Sequence, residues 1–112
     1  MAEINAFSTA GPASRQLYQD LLAALRSFGP FHEEIKKTSV HLVRKVAFVG
    51  VHPRKQHLLL TIKANEPLWD RRILKSEQVS RNRWHLETKL SSAQEIDEQL
   101  LAWARNAYDL CA

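Results

Sequence analysis

"SVHLVRKVAFVGVHPRKQHLLLTI", residues 39 to 62, decides the fold. Apolar and β-branched residues recur at every second position in three runs, broken by Arg44-Lys45 and by Pro53-Arg54-Lys55-Gln56. A period of two marks strands with one buried face, and short charged or proline-bearing breaks between them mark tight connections. Strands are therefore predicted at Ser39 to Val43, Val46 to Val51 and His57 to Ile62, running as an antiparallel meander.

The pattern also sorts the side chains. A two-residue turn at Arg44-Lys45 sets Val43 against Val46 and His41 against Phe48, and a turn centred on Arg54-Lys55 sets His52 against His57. Side chains alternate in direction along a strand, so one face then carries Val40, Leu42, Ala47, Val49, Val51, Leu58, Leu60 and Ile62. That face is wholly apolar and must be covered. The other carries Lys37, Ser39, His41, Phe48, Gly50, His52, His57, Leu59 and Thr61, a mixture of apolar floor and polar points.

Working outward, Leu17, Tyr18, Leu21, Leu22 and Leu25 follow Ser14 at three- and four-residue intervals. This is the stripe of a helix that Gly29-Pro30 ends. WHLETKL, Trp84 to Leu90, is a fourth strand, with Trp84, Leu86 and Leu90 inward and His85 and Glu87 on the mixed face. Ser92-Ala93-Gln94-Glu95 is a capping box opening a second helix, on which Ile96, Leu100, Trp103, Ala104, Ala107 and Tyr108 share a side. Asn65 to Arg83 is expected to be a packed loop, anchored by Leu68, Trp69, Ile73 and Leu74, with one helical turn at Asp70 to Leu74. The fold class is α+β in two layers: a four-stranded antiparallel meander with N- and C-terminal helices on one face, in the order α-β-β-β-β-α.

At 112 residues the chain has room for one domain, expected over residues 14–112 behind a flexible lead at 1–13. Neither a basic leader nor an apolar run long enough for a membrane span occurs, which points to a cytoplasmic protein with no membrane partner. Cys111, the single cysteine, sits at a mobile end and can form neither an internal disulfide nor a multi-cysteine metal site. The net charge of +4 is segregated. From Lys36 to Lys89 there are thirteen Lys and Arg against four acids, while the flanks hold three bases and eight acids. A basic middle attracts phosphate, nucleic acid or an acidic partner.

His41, His52, His57 and His85 raise the question of a metal, but their spacing matches no metal motif. Phosphate-cradling loops, nucleophile elbows and zinc-helix motifs are missing from the sequence, so neither a cofactor, a metal nor a catalytic residue is assigned. What the residues suggest is a non-catalytic binding module. Lys37, His41, Phe48, His52, Arg54, Lys55 and His57 form its basic, partly apolar surface for an anionic ligand or nucleic acid. Two alternatives stand beside it: a small-molecule receptor or small enzyme with a histidine-lined pocket on that face, and a homodimerising protein-interaction domain.

The runs KKTSVHLVRKVAFVGVHPRKQHLLLTIK and VSRNRWHLETKLSSAQEIDEQLLAWARNAY resemble the domain of unknown function DUF5655 over residues 17 to 108. KKTS at Lys36 to Ser39, Phe48, and PRK at Pro53 to Lys55 carry most of the likeness. The resemblance implies a small bacterial domain, found alone or joined to larger proteins, some of them nuclease-like. It names no catalytic residue.

Overall fold

The structure is a computed structural model and describes residues 5–8 and 10–112. Helix α1 spans Pro12–Leu25. Strands β1 His32–Ile35, β2 Val40–Val43, β3 Ala47–Pro53, β4 Leu58–Ala64, β5 Ile73–Ser80 and β6 Arg83–Leu90 follow, and helix α2, Glu98–Leu110, closes the chain. The strands form one antiparallel sheet in the order β1-β2-β3-β4-β6-β5.

The α+β class, the antiparallel sheet and the terminal helices are as the sequence predicts, but the sheet has six strands where four were expected. The four expected strands stand side by side in the expected order, and the two others are the edges. β1 is short, and its side chains are mostly exposed. β5 lies inside the segment read as a loop, and most of it is exposed on both faces. With neither face buried there is no alternation to read, and β5 is held by its backbone ladder to β6. Asp70 to Leu74 is not helical: the amide of Ile73 donates to the Asp70 carbonyl across a turn, at 2.9 Å. Leu68 and Ile73 do pack against the core. Trp69 and Leu74, expected as anchors, stand out in solvent at 82% and 60% exposure.

Both turns of the meander are longer than predicted. The first takes Arg44, Lys45 and Val46, and Phe48 is then an extra residue in β3, because Leu42 pairs with Val49 and Val43 with Ala47. Such a bulge re-aims a side chain. The second takes Arg54 to His57, closed by the Arg54 amide donating to the His57 carbonyl at 2.8 Å. His52 consequently pairs with Leu59, not with His57.

α1 starts two residues earlier than Ser14, with Pro12 in the first turn, where a missing N–H costs nothing. Of the lead, residues 1–4 and 9 lie outside the described residues, Ala6 is buried, and Phe7 packs on Tyr18. Gly29 ends the helical region at φ 137°, a backbone region essentially reserved for glycine. Glu95 fills the acceptor half of its capping box, taking the amides of Ser91 at 2.6 Å and Ser92 at 3.1 Å. The turn it opens is only a short 3-10 turn, and α2 proper begins after Asp97, whose carboxylate caps the Leu100 amide at 3.0 Å.

Leu17, Leu21 and Leu25 of α1, Leu100, Trp103, Ala104 and Ala107 of α2, and Val40, Leu42, Val51, Leu58, Leu60, Ile62 and Leu86 of the sheet make one buried cluster. Both helices thus cover the same sheet face and leave the other without a helix. Cys111, expected at a mobile end, is 3% exposed, with its thiol 3.6 Å from the Ala47 carbonyl. Burial pushes that thiol's pKa up, which keeps it protonated and unreactive. No helix among the described residues is long and apolar enough to cross a membrane.

Candidate functional site

The helix-free face is an ordered lattice of side chains, because alternation puts every second residue of each strand on it. Its central row crosses all six strands: Glu34, His41, Gly50, Thr61, Glu87 and Lys75 pair in succession. One row toward the Arg54 turn lie His52, Leu59 and Lys89. One row the other way lie Lys63, His85 and Glu77. His32 sits two residues before Glu34 on β1, and His57 at the entry to β4. All five histidines of the chain therefore belong to this face or its margin.

In the middle of the lattice is a depression of about 460 Å³. His41, His52, His85, Lys63 and Thr61 stand around it, and Ala47 and Gly50 form the floor, with the buried Phe48 and Val49 beneath. Small-molecule sites run from roughly 300 to 1,000 Å³, apolar below with a few polar groups converging. Among the described residues Lys63 makes no ion pair, whereas Lys75 is spent on Glu77 at 2.8 Å and Lys36 on Glu34 at 3.5 Å.

His52, His57 and His85 are each shifted toward the neutral form. Burial pushes the His52 pKa down, helped by the positive charge of Arg54 and by His41, with Glu87 pulling the other way. Burial and Lys63 do the same to His85, against Glu77. His57 is lowered by burial and then by Lys89 and Arg54. Neutral imidazoles can donate from one nitrogen and accept at the other. His41 already has Ser39 beside it, Nε2 to Oγ at 3.5 Å. A base beside a carboxylate exists in His85 opposite Glu77, a different pair from the His85 and Glu87 that the sequence singles out. Among the described residues no three or more His, Cys, Asp or Glu side chains are grouped so as to hold a metal ion.

Of the seven residues the sequence nominates, His41, His52 and Phe48 border the depression. Phe48 does so from below: its side chain is fully buried, with its ring edge-on to Phe31 and to Tyr108 of α2 at 5.4 and 5.3 Å. It is a core residue, turned inward at the bulge, and its placement on the open face is corrected. Lys37, Arg54, Lys55 and His57 do not reach the depression. Lys37 lies in the β1–β2 turn and the other three in the β3–β4 turn, together at one end of the sheet. Ser14 Oγ ties that end to α1 by donating to the Arg54 carbonyl at 2.6 Å. Sequence reasoning left out Lys63 and His85 as site residues. Lys63 was within reach: carrying the alternation of Leu59 and Thr61 one step past Ile62 puts it on this face.

No curated protein and no solved structure matches the chain. Its sequence matches the domain of unknown function DUF5655 from residue 5 to residue 111, a longer stretch than the resemblance at 17 to 108, and the chain belongs to that family.

Proposed function

We propose that this domain is a binding module whose helix-free sheet face receives an anionic ligand. The observation that carries the reading is the gathering of His41, His52 and His85 around a depression of about 460 Å³ on that face, beside Lys63, which makes no ion pair among the described residues. An anion seated there meets one fixed positive charge, a threonine hydroxyl and imidazole N–H donors over an apolar floor. Hydrogen bonds to an ionised partner are roughly twice as strong as neutral ones. The cations at the end of the sheet, Lys37, Arg54, Lys55 and Lys89, add a long-range field that favours approach of negative charge. A small anion fits the depression better than a polymer does, because these four cations sit to one side of it and not along it.

The test is an amide chemical-shift titration with inorganic phosphate at low ionic strength, alongside single-stranded and duplex DNA and RNA oligonucleotides at low and high salt. Phosphate is expected to move the signals of His41, His52, Thr61, Lys63 and His85, and Lys63→Ala to weaken the effect. If oligonucleotides bind through Lys37, Arg54 and Lys55 with a steep loss in salt while phosphate leaves the depression untouched, the ligand is nucleic acid and the small-anion reading fails. If none of the probes shifts any signal on this face, anion binding fails altogether.

A further inference from the structure

Gly50 stands in the centre of the six-strand row, with His41 on one side and Thr61 on the other. Cross-strand neighbours are about 5 Å apart, so this is the one lattice point at the heart of the face that carries no side chain. Glycine weakens a strand interior, and where it is found there it marks a bulge, a tight bend or a close approach by something else. The bulge in β3 is at Phe48, two residues earlier, and the pairing of Gly50 with Thr61 is regular. Nor does packing demand glycine: a Cβ at position 50 would meet nothing nearer than the Thr61 Cβ at 3.7 Å, an ordinary contact. Gly29 is the contrast, with φ 137° and the Tyr108 hydroxyl 2.5 Å from where its Cβ would be. The fold needs Gly29, but it does not need Gly50.

Resting on the anion-binding reading, we infer that Gly50 keeps the floor of the depression open for the flat apolar body of a small amphipathic acid, an aryl phosphate or aryl carboxylate. The ring lies over Gly50, flanked by the His41 and His52 imidazoles, and the anionic group reaches Lys63 and His85. A ligand of this class uses both halves of the site. The apolar floor adds affinity by removing ring surface from water, and the polar rim fixes orientation. An inorganic anion uses the rim alone.

Inorganic phosphate and phenyl phosphate separate the two contributions at equal headgroup. In isothermal titrations the wild-type domain is expected to bind phenyl phosphate about tenfold or more tightly than phosphate, from burial of the ring. Gly50→Val, which puts a strand-favouring side chain where the ring would lie, should abolish the advantage of phenyl phosphate over phosphate, with both probes measured on the variant. Gly50→Ala should fall between, and thermal unfolding of both variants should match or exceed the wild type. Equal affinity of the two probes for the wild type overturns the inference, as does undiminished phenyl phosphate binding in folded Gly50→Val; in both cases anion binding itself stands. Failure of both probes to bind the wild type instead sinks the anion reading, and this inference with it.

Discussion

Phe48 gives the sharpest test of how the sheet faces are assigned. In the chain's own alternation it belongs with His41 and Gly50 on the open side, yet the bulge turns it inward, where it is fully buried between Phe31 and Tyr108. Cutting a buried phenylalanine back to alanine costs about 3–5 kcal/mol, more where the surroundings cannot collapse into the gap. Here the gap would be walled by a ring from the segment before β1 and a ring from α2. Tyr108 is itself pinned by its hydroxyl, which donates to the Pro30 carbonyl at 2.9 Å. The upper half of the range, about 4–5 kcal/mol, is therefore expected for Phe48→Ala. Phe48→Leu keeps most of the apolar area and loses two edge-on aromatic pairs worth about 0.5–1.5 kcal/mol each, so about 1–3 kcal/mol is expected there. Urea unfolding at pH 7.5, with equal slopes for the three proteins, measures both. A domain of this size has roughly 5–15 kcal/mol in hand, so Phe48→Ala should still be folded in water but with a much lower midpoint. If Phe48→Ala shifts stability by less than about 0.5 kcal/mol, as surface substitutions do, and at the same time abolishes anion binding, the ring faces the depression and the face assignment is wrong.

Two further outcomes follow from the same framework. His52, His57 and His85 all have pKa values pushed below the ordinary histidine range, first by burial and then by Arg54 and His41, by Lys89 and Arg54, and by Lys63 respectively, while Glu87 and Glu77 oppose the shift at His52 and His85. The unfolded chain therefore binds more protons than the folded one on the acid side of about pH 6.5, and stability present above that pH is lost as pH falls through the folded values. The urea midpoint should drop between pH 7.5 and 5.5, and a variant carrying His52→Gln, His57→Gln and His85→Gln together should show a flatter profile; a midpoint that rises on acidification contradicts this. Ser14→Ala removes a fully buried hydroxyl that donates to the Arg54 carbonyl at 2.6 Å, for an expected loss of about 1–3 kcal/mol, with faster hydrogen exchange at the Arg54 amide; unchanged stability and exchange would show that the Ser14 hydroxyl does not hold the cationic turn.

The sequence made some elements legible and hid others for definable reasons. The meander strands announce themselves because one face of each is buried, as at Leu58, Leu60 and Ile62, and burial on one side writes a period of two into the chain. β5 is exposed along most of its length. Its strand character comes from backbone pairing with β6, which leaves no mark on residue type. Trp69 misled in the opposite direction: a tryptophan in a polar segment reads as an anchor, and this one is 82% exposed. Arg72 does the anchoring, donating to Asp97 at 3.0 Å and to the Glu95 carbonyl at 2.8 Å, with its guanidinium over the Trp103 ring. That fixes the start of β5 to the start of α2 by charge and hydrogen bonds between residues 25 apart, a pairing that no local pattern announces.

The assignment of the open face depends on a distinction between pairing and parity. The expected partner of His52 was His57, and its partner in the sheet is Leu59; the expected partner of Leu42 was Ala47, and the observed one is Val49. Both registers moved by two residues. A slip of one would have exchanged the faces and buried the histidines, whereas a slip of two changes neighbours and keeps every side chain on its side. Each turn takes up two more residues than a tight hairpin, counting the extra residue at Phe48, and this even number carries His41, Gly50, His52, Leu59 and Thr61 to the face their alternation predicts. The shift also removes the side-by-side histidine pair at the turn and aligns Gly50 with His41 and Thr61 instead, so the open centre of the face falls between histidines and not beneath one. Phe48 is where parity breaks, because a bulge of one residue reverses direction locally. The single residue among the seven that changes sides is thus the one on which the chain spends its extra position.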